Sequence, residues 1–389
     1  MHEEMKFLEL VSIGGILCST VYYLAAIVAG LVFAHRSNTP PRELPKIPPR
    51  VAILKPLRGV SQHLRENIIS FLEIAYSRVE FIFGVTSYED RAIDVPVSLR
   101  APYQFANMTV TVGDEPGCSN RKIAKLIRMA ERASDKTDIF VLSDADISVE
   151  PDHLKRVVQE LTADDKIGIV TCIYRGQAYE SFASRMEALF INTDFAPQVI
   201  LAEALEPMHY ALGATIAVKR EALAAIGGFR ALKDLLADDF HLGHKVSEAG
   251  YEIALSSSIV TVACEDHNFS DFWHHQLRWA RTYRHVRPLS LATIFIHGPF
   301  WALMYIVANR FALRSFDVLT MILGLRMLMA SVMIGKVLRH PQSLSDVLLI
   351  PFKDLIMTAI YFASLTGKTV KWGGRRFLLM AGGVMRELA

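Results

Sequence analysis

The chain has 389 residues, 51% of them hydrophobic, and a mean hydropathy of +0.26. It is longer than one typical domain and more apolar than most soluble proteins, so part of it is expected in lipid. A net charge of +2 offers no basic excess for a nucleic acid, and four scattered cysteines, Cys18, Cys118, Cys172 and Cys264, have no CxxC spacing and so indicate neither a disulfide framework nor a zinc site.

From Leu10 to Ala34 no side chain is charged. About 25 residues at roughly 1.5 Å each exceed a hydrocarbon core of about 30 Å, which predicts a tilted membrane anchor over residues 1–36. A cleaved signal peptide would have a shorter apolar region and a basic leader, whereas Glu3, Glu4 and Glu9 here outnumber Lys6. Arg36, Arg42, Lys46 and Arg50 follow the anchor, so the positive-inside rule puts the next domain in the cytoplasm. Residues 37–49 include Pro40, Pro41, Pro45, Pro48 and Pro49 and read as a stiff, non-helical linker.

The globular part is expected over residues 50–269. Apolar runs predict strands at Val51 to Leu54, Phe81 to Thr86, Met108 to Val112 and Ile139 to Leu142, with helices at about Leu64 to Ala75 and Arg121 to Ala133. Further strands are expected at Ile167 to Tyr174, Ala211 to Lys219 and Ile259 to Val262. Strands alternating with helices indicate βαβ units, and hence an α/β fold with a mostly parallel sheet.

Two strands end in acids. Phe81 to Thr86 runs into Glu89-Asp90, and Ile139 to Leu142 into Ser143-Asp144-Ala145-Asp146, a DxD motif. In an extended segment residues i and i+2 point the same way, so Asp144 and Asp146 can offer hard oxygens to one Mg²⁺ or Mn²⁺. The other reading is a strand end followed by a polar turn. Ligands in open α/β sheets bind outside the carboxyl ends of the strands, where Asp90 and Asp144 could meet one nucleotide. Between these strands, Gly113 to Lys122 is a Gly/Pro/Asn-rich loop entering a helix, in which N–H groups and Lys122 are candidate ligands of a diphosphate or base. An ordinary N-capped helix start is the alternative. There is no Walker spacing, which disfavours an ATPase.

Downstream, Asp238 and Asp239 open a helix that runs to about Gly250. A cap accounts for one acid, assigned to Asp238, and Asp239 is the candidate general base. Residues 270–287 form a basic helix in which Arg278, Arg281 and Arg284 recur every third residue, followed by Arg287. Arg284 and Arg287 suit a membrane-flanking segment, whereas Arg278 and Trp279 pair a guanidinium for a diphosphate with an indole for a sugar or acceptor. Residues 288–367 contain three apolar segments: Pro288 to Asn309, Val318 to Gly335 with Arg326, and Val347 to Gly367 with Lys353 and Asp354. If all three crossed the membrane, Lys368, Lys371, Arg375 and Arg376 of the basic tail 368–389 would lie outside, so one segment is expected to be interfacial or re-entrant.

The ordered set Val51 to Gly59, Glu89 to Asp94, the DxD, Leu236 to Asp239 and Arg278-Trp279 resembles the ceramide glucosyltransferase family and the related bacterial hopanoid-biosynthesis glycosyltransferases, over roughly residues 48 to 290. The resemblance implies a GT-A type glycosyltransferase domain with transmembrane helices at both ends, a UDP-sugar donor and a membrane lipid acceptor. It also implies donor contacts at Asp90, Asn120, Lys122, Arg278 and Trp279, metal ligands at Asp144 and Asp146, and the base at Asp239. One departure stands out: the family's (Q/R)xxRW motif has His275 here at its first position, with Gln276 one residue later. The expected activity is a single inverting hexosyl transfer to a lipid hydroxyl, as in ceramide glucosylation or hopanoid N-acetylglucosaminylation. A processive polysaccharide synthase would need a longer membrane channel, and a non-catalytic scaffold would not need the intact set.

Overall fold

A computed structural model describes residues 2–39, 43–340, 343–372 and 375–388; Pro40, Pro41 and Arg42 of the linker lie outside the described residues. Eight strands form one sheet: β1 (Val51–Pro56), β2 (Val79–Val85), β3 (Met108–Val112), β4 (Ile139–Ser143), β5 (Ile147–Ser148), β6 (Ile167–Ala178), β7 (Thr215–Lys219) and β8 (Glu252–Cys264). The order is β3-β2-β1-β4-β7-β6-β8-β5, parallel throughout except that β7 opposes both of its neighbours and β5 opposes β8. The central strands β1 and β4 are buried at every position, as expected of parallel strands covered on both faces.

The helices are α1 (His2–Asn38), α2 (Leu64–Leu72), α3 (Asp94–Leu99), α4 (Arg121–Arg132), α5 (His153–Leu161), α6 (Phe182–Phe190), α7 (Ala196–Leu205), α8 (Arg220–Ala225), α9 (Asp238–Glu248), α10 (Phe269–Val286), α11 (Gly298–Ala308), α12 (Leu313–Val332), α13 (Leu344–Leu348) and α14 (Ile350–Ser364). A π-helical turn, Ile191–Phe195, joins α6 to α7. Among the described residues two helices are long and apolar enough to cross a membrane, Glu3–Asn38 and Leu313–Val337. The protein is therefore read as a membrane protein, with α1 packed against α7, α11 and α12.

The first apolar segment after α10 breaks in two. Ser290–Ile296 and Gly298–Ala308 meet at 63°, the geometry of a broken span or a re-entrant loop. Gly298 sits at the break, where its N–H donates to the Tyr23 hydroxyl at 3.1 Å and an added Cβ would lie 2.9 Å from that oxygen. Pro299, in the first turn of α11, fits a helix start but not a helix interior.

The charges that interrupt the other two apolar segments meet each other and the catalytic domain. Arg326 of α12 binds Asp354 of α14 at 2.9 Å and Asp194 of the π turn at 2.6 Å, and it also donates to the Thr193 carbonyl at 3.0 Å. Lys353 reaches Asp354 at 2.6 Å and also binds Asp194. Two cations and two anions, all but Asp194 buried, neutralise one another where single charges would be very costly.

Residues 368–389 were expected to be a basic tail. Instead they form an antiparallel sheet of β9 (Thr369–Trp372), β10 (Arg375–Leu379) and β11 (Met385–Glu387). Val370, Phe377, Leu379 and Met385 turn inward onto Leu236, and the sheet is tied to the loop before α9 by Leu236 N–H to the Gly383 carbonyl and Met385 N–H to the Asp234 carbonyl.

Candidate active site

A cavity of about 1000 Å³ runs from the ends of β1 and β4 to the membrane helices. At its polar end are Lys122, Asp144, Asp146, Asp238, Asp239 and Arg278. This matches the expectation for an open α/β sheet, whose ligands bind beyond the carboxyl ends of the strands.

Asp144 and Asp146 lie in the turn between β4 and β5, with the Asp146 carbonyl accepting from the Ala263 N–H of β8 at 2.9 Å. Burial and then the charge of Asp144 push the Asp146 carboxyl up to about 7, although Lys55 acts in the opposite direction. Lys122, in the first turn of α4, meets Asp144 at 2.7 Å and Asp238 at 3.5 Å. Burial works against its charge, but Asp144, Asp238 and Asp239 outweigh that and hold the ammonium above its ordinary range.

The structure assigns the two acids of α9 differently from the sequence reading. Asp238 was expected to cap the helix; instead its carboxylate turns to Lys122 and to the Asn120 amide at 3.5 Å. Asp239 accepts the Phe240 N–H at 2.8 Å through Oδ1, and Oδ2 is left beside Gly213, where an added Cβ would come within 2.8 Å of it. Burial and the neighbouring Asp238 push Asp239 up to about 6, with Lys122 opposing. A carboxyl poised near neutrality is suited to accepting a proton.

Asn120 was a candidate donor ligand, but its side chain is fully buried and already engaged. Its Oδ1 accepts the Lys122 and Ile123 N–H groups that open α4, and its Nδ2 donates to the Leu235 carbonyl at 2.8 Å. It therefore joins the starts of α4 and α9, and so places Lys122 and Asp239. Asp90 is not in the main cavity. It accepts the Gly59 and Ala92 N–H groups at 2.9 and 3.0 Å in a shallower adjoining pocket, and Arg58 and Gly59 line both spaces.

On α10, Arg278 lines the cavity, and burial lowers its pKa to about 10, so it stays charged at neutral pH. Trp279 packs edge-on to Phe190, His275 and Tyr283 and tilted against Phe195, which makes it a wall of the cavity rather than a free platform. His275, in place of the family's Gln or Arg, binds Glu187 of α6 at 2.8 Å. Gln276 is buried on the cavity wall, and neither polar atom of its amide has a hydrogen-bond partner among the described residues. Arg284 and Arg287 also line the cavity, but they and Arg281 are already engaged: Arg281 and Arg284 donate to the Thr369 and Gly367 carbonyls at the start of the C-terminal sheet, and Arg287 to Glu206.

Sequence reasoning missed Glu187, the partner of His275, and Lys55, which sits under the DxD turn. Only Lys55 left a signal, a charge inside an apolar strand. Among the described residues no three His, Cys, Asp or Glu side chains converge on a metal-sized site.

Residues 12–385 match the model of glycosyl transferase family 21. Ceramide glucosyltransferase 3 of Caenorhabditis elegans is 25% identical over 281 residues, which cover 72% of this chain and 60% of that protein. The chain thus spans less than two thirds of that relative. Ceramide glucosyltransferase 1 of the same organism is 23% identical over 397 residues, covering 99% of this chain and 83% of that protein. Among solved structures, the mannosyltransferase PcManGT from Pyrobaculum calidifontis, in complex with GDP-Man and Mn²⁺, is similar with a TM-score of 0.57 at 17% identity, covering 92% of this chain and 99% of that one. That likeness shows the GT-A type fold. The family match takes in the membrane helices, the carboxylates, the arginine helix and the C-terminal sheet alike, and the chain belongs to glycosyl transferase family 21, a glycosyltransferase similar to ceramide glucosyltransferases.

Proposed function

We propose that the enzyme moves a hexosyl group from a UDP-sugar to a hydroxyl of a membrane lipid, with inversion at the anomeric carbon and with the catalytic domain facing the cytoplasm. The observation that carries this reading is the continuity of one cavity. Asp144, Asp146 and Asp239 line the same space as Tyr23 of α1 and Met357 and Ile360 of α14, so a water-borne donor and a lipid-borne acceptor can meet inside it. Lys122 and Arg278 supply positive charge for a diphosphate. Asp239 takes the proton from the acceptor hydroxyl as it attacks, and a single base of this kind suits a single inverting displacement.

Asp144 and Asp146 fit a divalent cation, Mg²⁺ or Mn²⁺. Both are hard oxygen donors that line the cavity, and burial, followed by the charge of Asp144, disfavours the ionised form of Asp146, which a cation there would help to stabilise. A bound cation would act as a Lewis acid on the leaving diphosphate. Excess EDTA is expected to abolish transfer and added Mn²⁺ or Mg²⁺ to restore it; full turnover in EDTA would contradict the assignment. The membrane reading rests on α1 and α12 as spans and on the basic residues Arg36, Lys46 and Arg50 after α1.

The deciding assay is incubation of the purified chain with labelled UDP-glucose or UDP-N-acetylglucosamine and either ceramide or a hopanoid polyol, followed by mass spectrometry. A lipid carrying one added sugar is expected. A polymer, or UDP release without a glycolipid, would overturn the proposal.

A further inference from the structure

β1 runs through the centre of the sheet, yet its fifth residue, Lys55, is a lysine with 1% exposure. A buried ammonium is costly unless its donors are used, so its partners matter. They all lie in the turn that carries the DxD: the carbonyls of Asp144 at 2.6 Å and Ile147 at 3.2 Å, and the Ser143 hydroxyl at 3.4 Å. The ammonium also sits 4.1 Å from the centre of the Phe71 ring, which closes its fourth side. From α2, Asn67, 4% exposed, donates to the carbonyl of the intervening Ala145 at 3.2 Å.

Two buried polar side chains from two other elements thus hold residues 143, 144, 145 and 147 by their backbone or hydroxyl oxygens, while the carboxylates of Asp144 and Asp146 are left to the cavity. Neither Lys55 nor Asn67 lines that cavity. Core filling alone would not need them, because leucine and methionine pack without burying a donor. Backbone bonds tie the Asp144 N–H to the Ala214 carbonyl and the Asp146 carbonyl to the Ala263 N–H, but the Ala145 carbonyl between them is held by Asn67, and a rotated peptide there would part the two carboxylates.

We propose that Lys55 and Asn67 are positioning residues: they clamp the turn so that Asp144 and Asp146 converge on one divalent cation and the diphosphate it carries. This rests on the metal reading above. Groups that orient metal ligands from behind typically contribute 10- to 100-fold in metal affinity or activity.

The test is Mn²⁺ binding to the purified full chain, with and without UDP, followed by electron paramagnetic resonance of free Mn²⁺ at a temperature where each variant is folded. Lys55→Met and Asn67→Ala are each expected to weaken Mn²⁺ binding by about 10- to 100-fold and to lower kcat more than donor KM changes. Leu154→Ala, a core truncation on α5, should lower the melting temperature and leave Mn²⁺ affinity unchanged, which separates positioning from general destabilisation. If Lys55→Met does not fold, Asn67→Ala decides. Wild-type Mn²⁺ affinity in a folded Lys55 or Asn67 variant overturns the clamp. Wild-type protein that neither binds Mn²⁺ nor loses activity in EDTA overturns the metal reading itself, a different and separately visible result.

Discussion

Replacing Asp239 with Asn is expected to lower kcat by about 10²- to 10⁴-fold while donor KM changes little, because the substitution keeps the shape and the bond to the Phe240 N–H but removes the ability to accept a proton. The pH profile gives a second readout. With the carboxyl pushed up to about 6, the active ionised form is lost as pH falls through that value, so the wild-type rate should decline on the acid side near pH 6. Any residual activity of Asp239→Asn should lack that limb. Stability moves the other way: a carboxyl whose pKa is raised in the folded state costs stability when ionised, and the cost is full above about pH 6 and is relieved progressively as pH falls from there to the ordinary carboxylate range. The Asn variant should therefore melt no lower than wild type at neutral pH. Asp238→Asn should act differently, raising donor KM through Lys122 and Asn120, which its carboxylate faces. A near wild-type kcat for Asp239→Asn would move the base elsewhere.

Arg326→Met is expected to cost about 3–5 kcal/mol of stability, because it leaves Asp194 and Asp354 to share Lys353 in a buried setting. Thermal melting in detergent, or exposure of the buried Cys172 and Cys264 to a thiol reagent, would report the loss. The double variant Arg326→Met with Asp354→Leu removes one charge of each sign and should recover much of it, since the Lys353–Asp194 pair remains. A single variant as stable as wild type would show that the network contributes nothing.

How far the sequence could be read depends on the range of the interaction involved. Val51 and Ile139 each begin a strand in the structure, because a strand buried on both faces is largely an apolar run, and Met108 begins the partly buried edge strand, in which valine alternates with threonine. The DxD, Asp239 and Arg278 were legible for a related reason: charges that close an apolar run or interrupt a helix face stand out locally. The C-terminal sheet was not legible, since Lys371, Arg375 and Arg376 outweigh the sparse alternation of Val370, Phe377 and Leu379, whose meaning comes only from contact with Leu236. Nor were the partners of Arg326 and His275, because Asp194 is 132 residues from the former and Glu187 lies on another helix. Asn120 and Asp238 show the same limit at closer range: spacing marked them as polar residues at helix starts but did not show that they face each other.

The ion network of Asp194, Arg326, Lys353 and Asp354 also sets an order of assembly. Lys353 follows Asp194 by 159 positions, so at roughly 5–20 residues per second the ribosome reaches it about 10–30 s later. During that interval the π turn carries an acid whose second cation does not yet exist, and α12 carries an arginine whose Asp354 has still to be made. Asp194, Arg326 and Asp354 all line the cavity, so its wall is complete only when α14 arrives. A nascent chain that has finished its sheet and its carboxylates still lacks a complete chamber, and α14 is the latch that closes it.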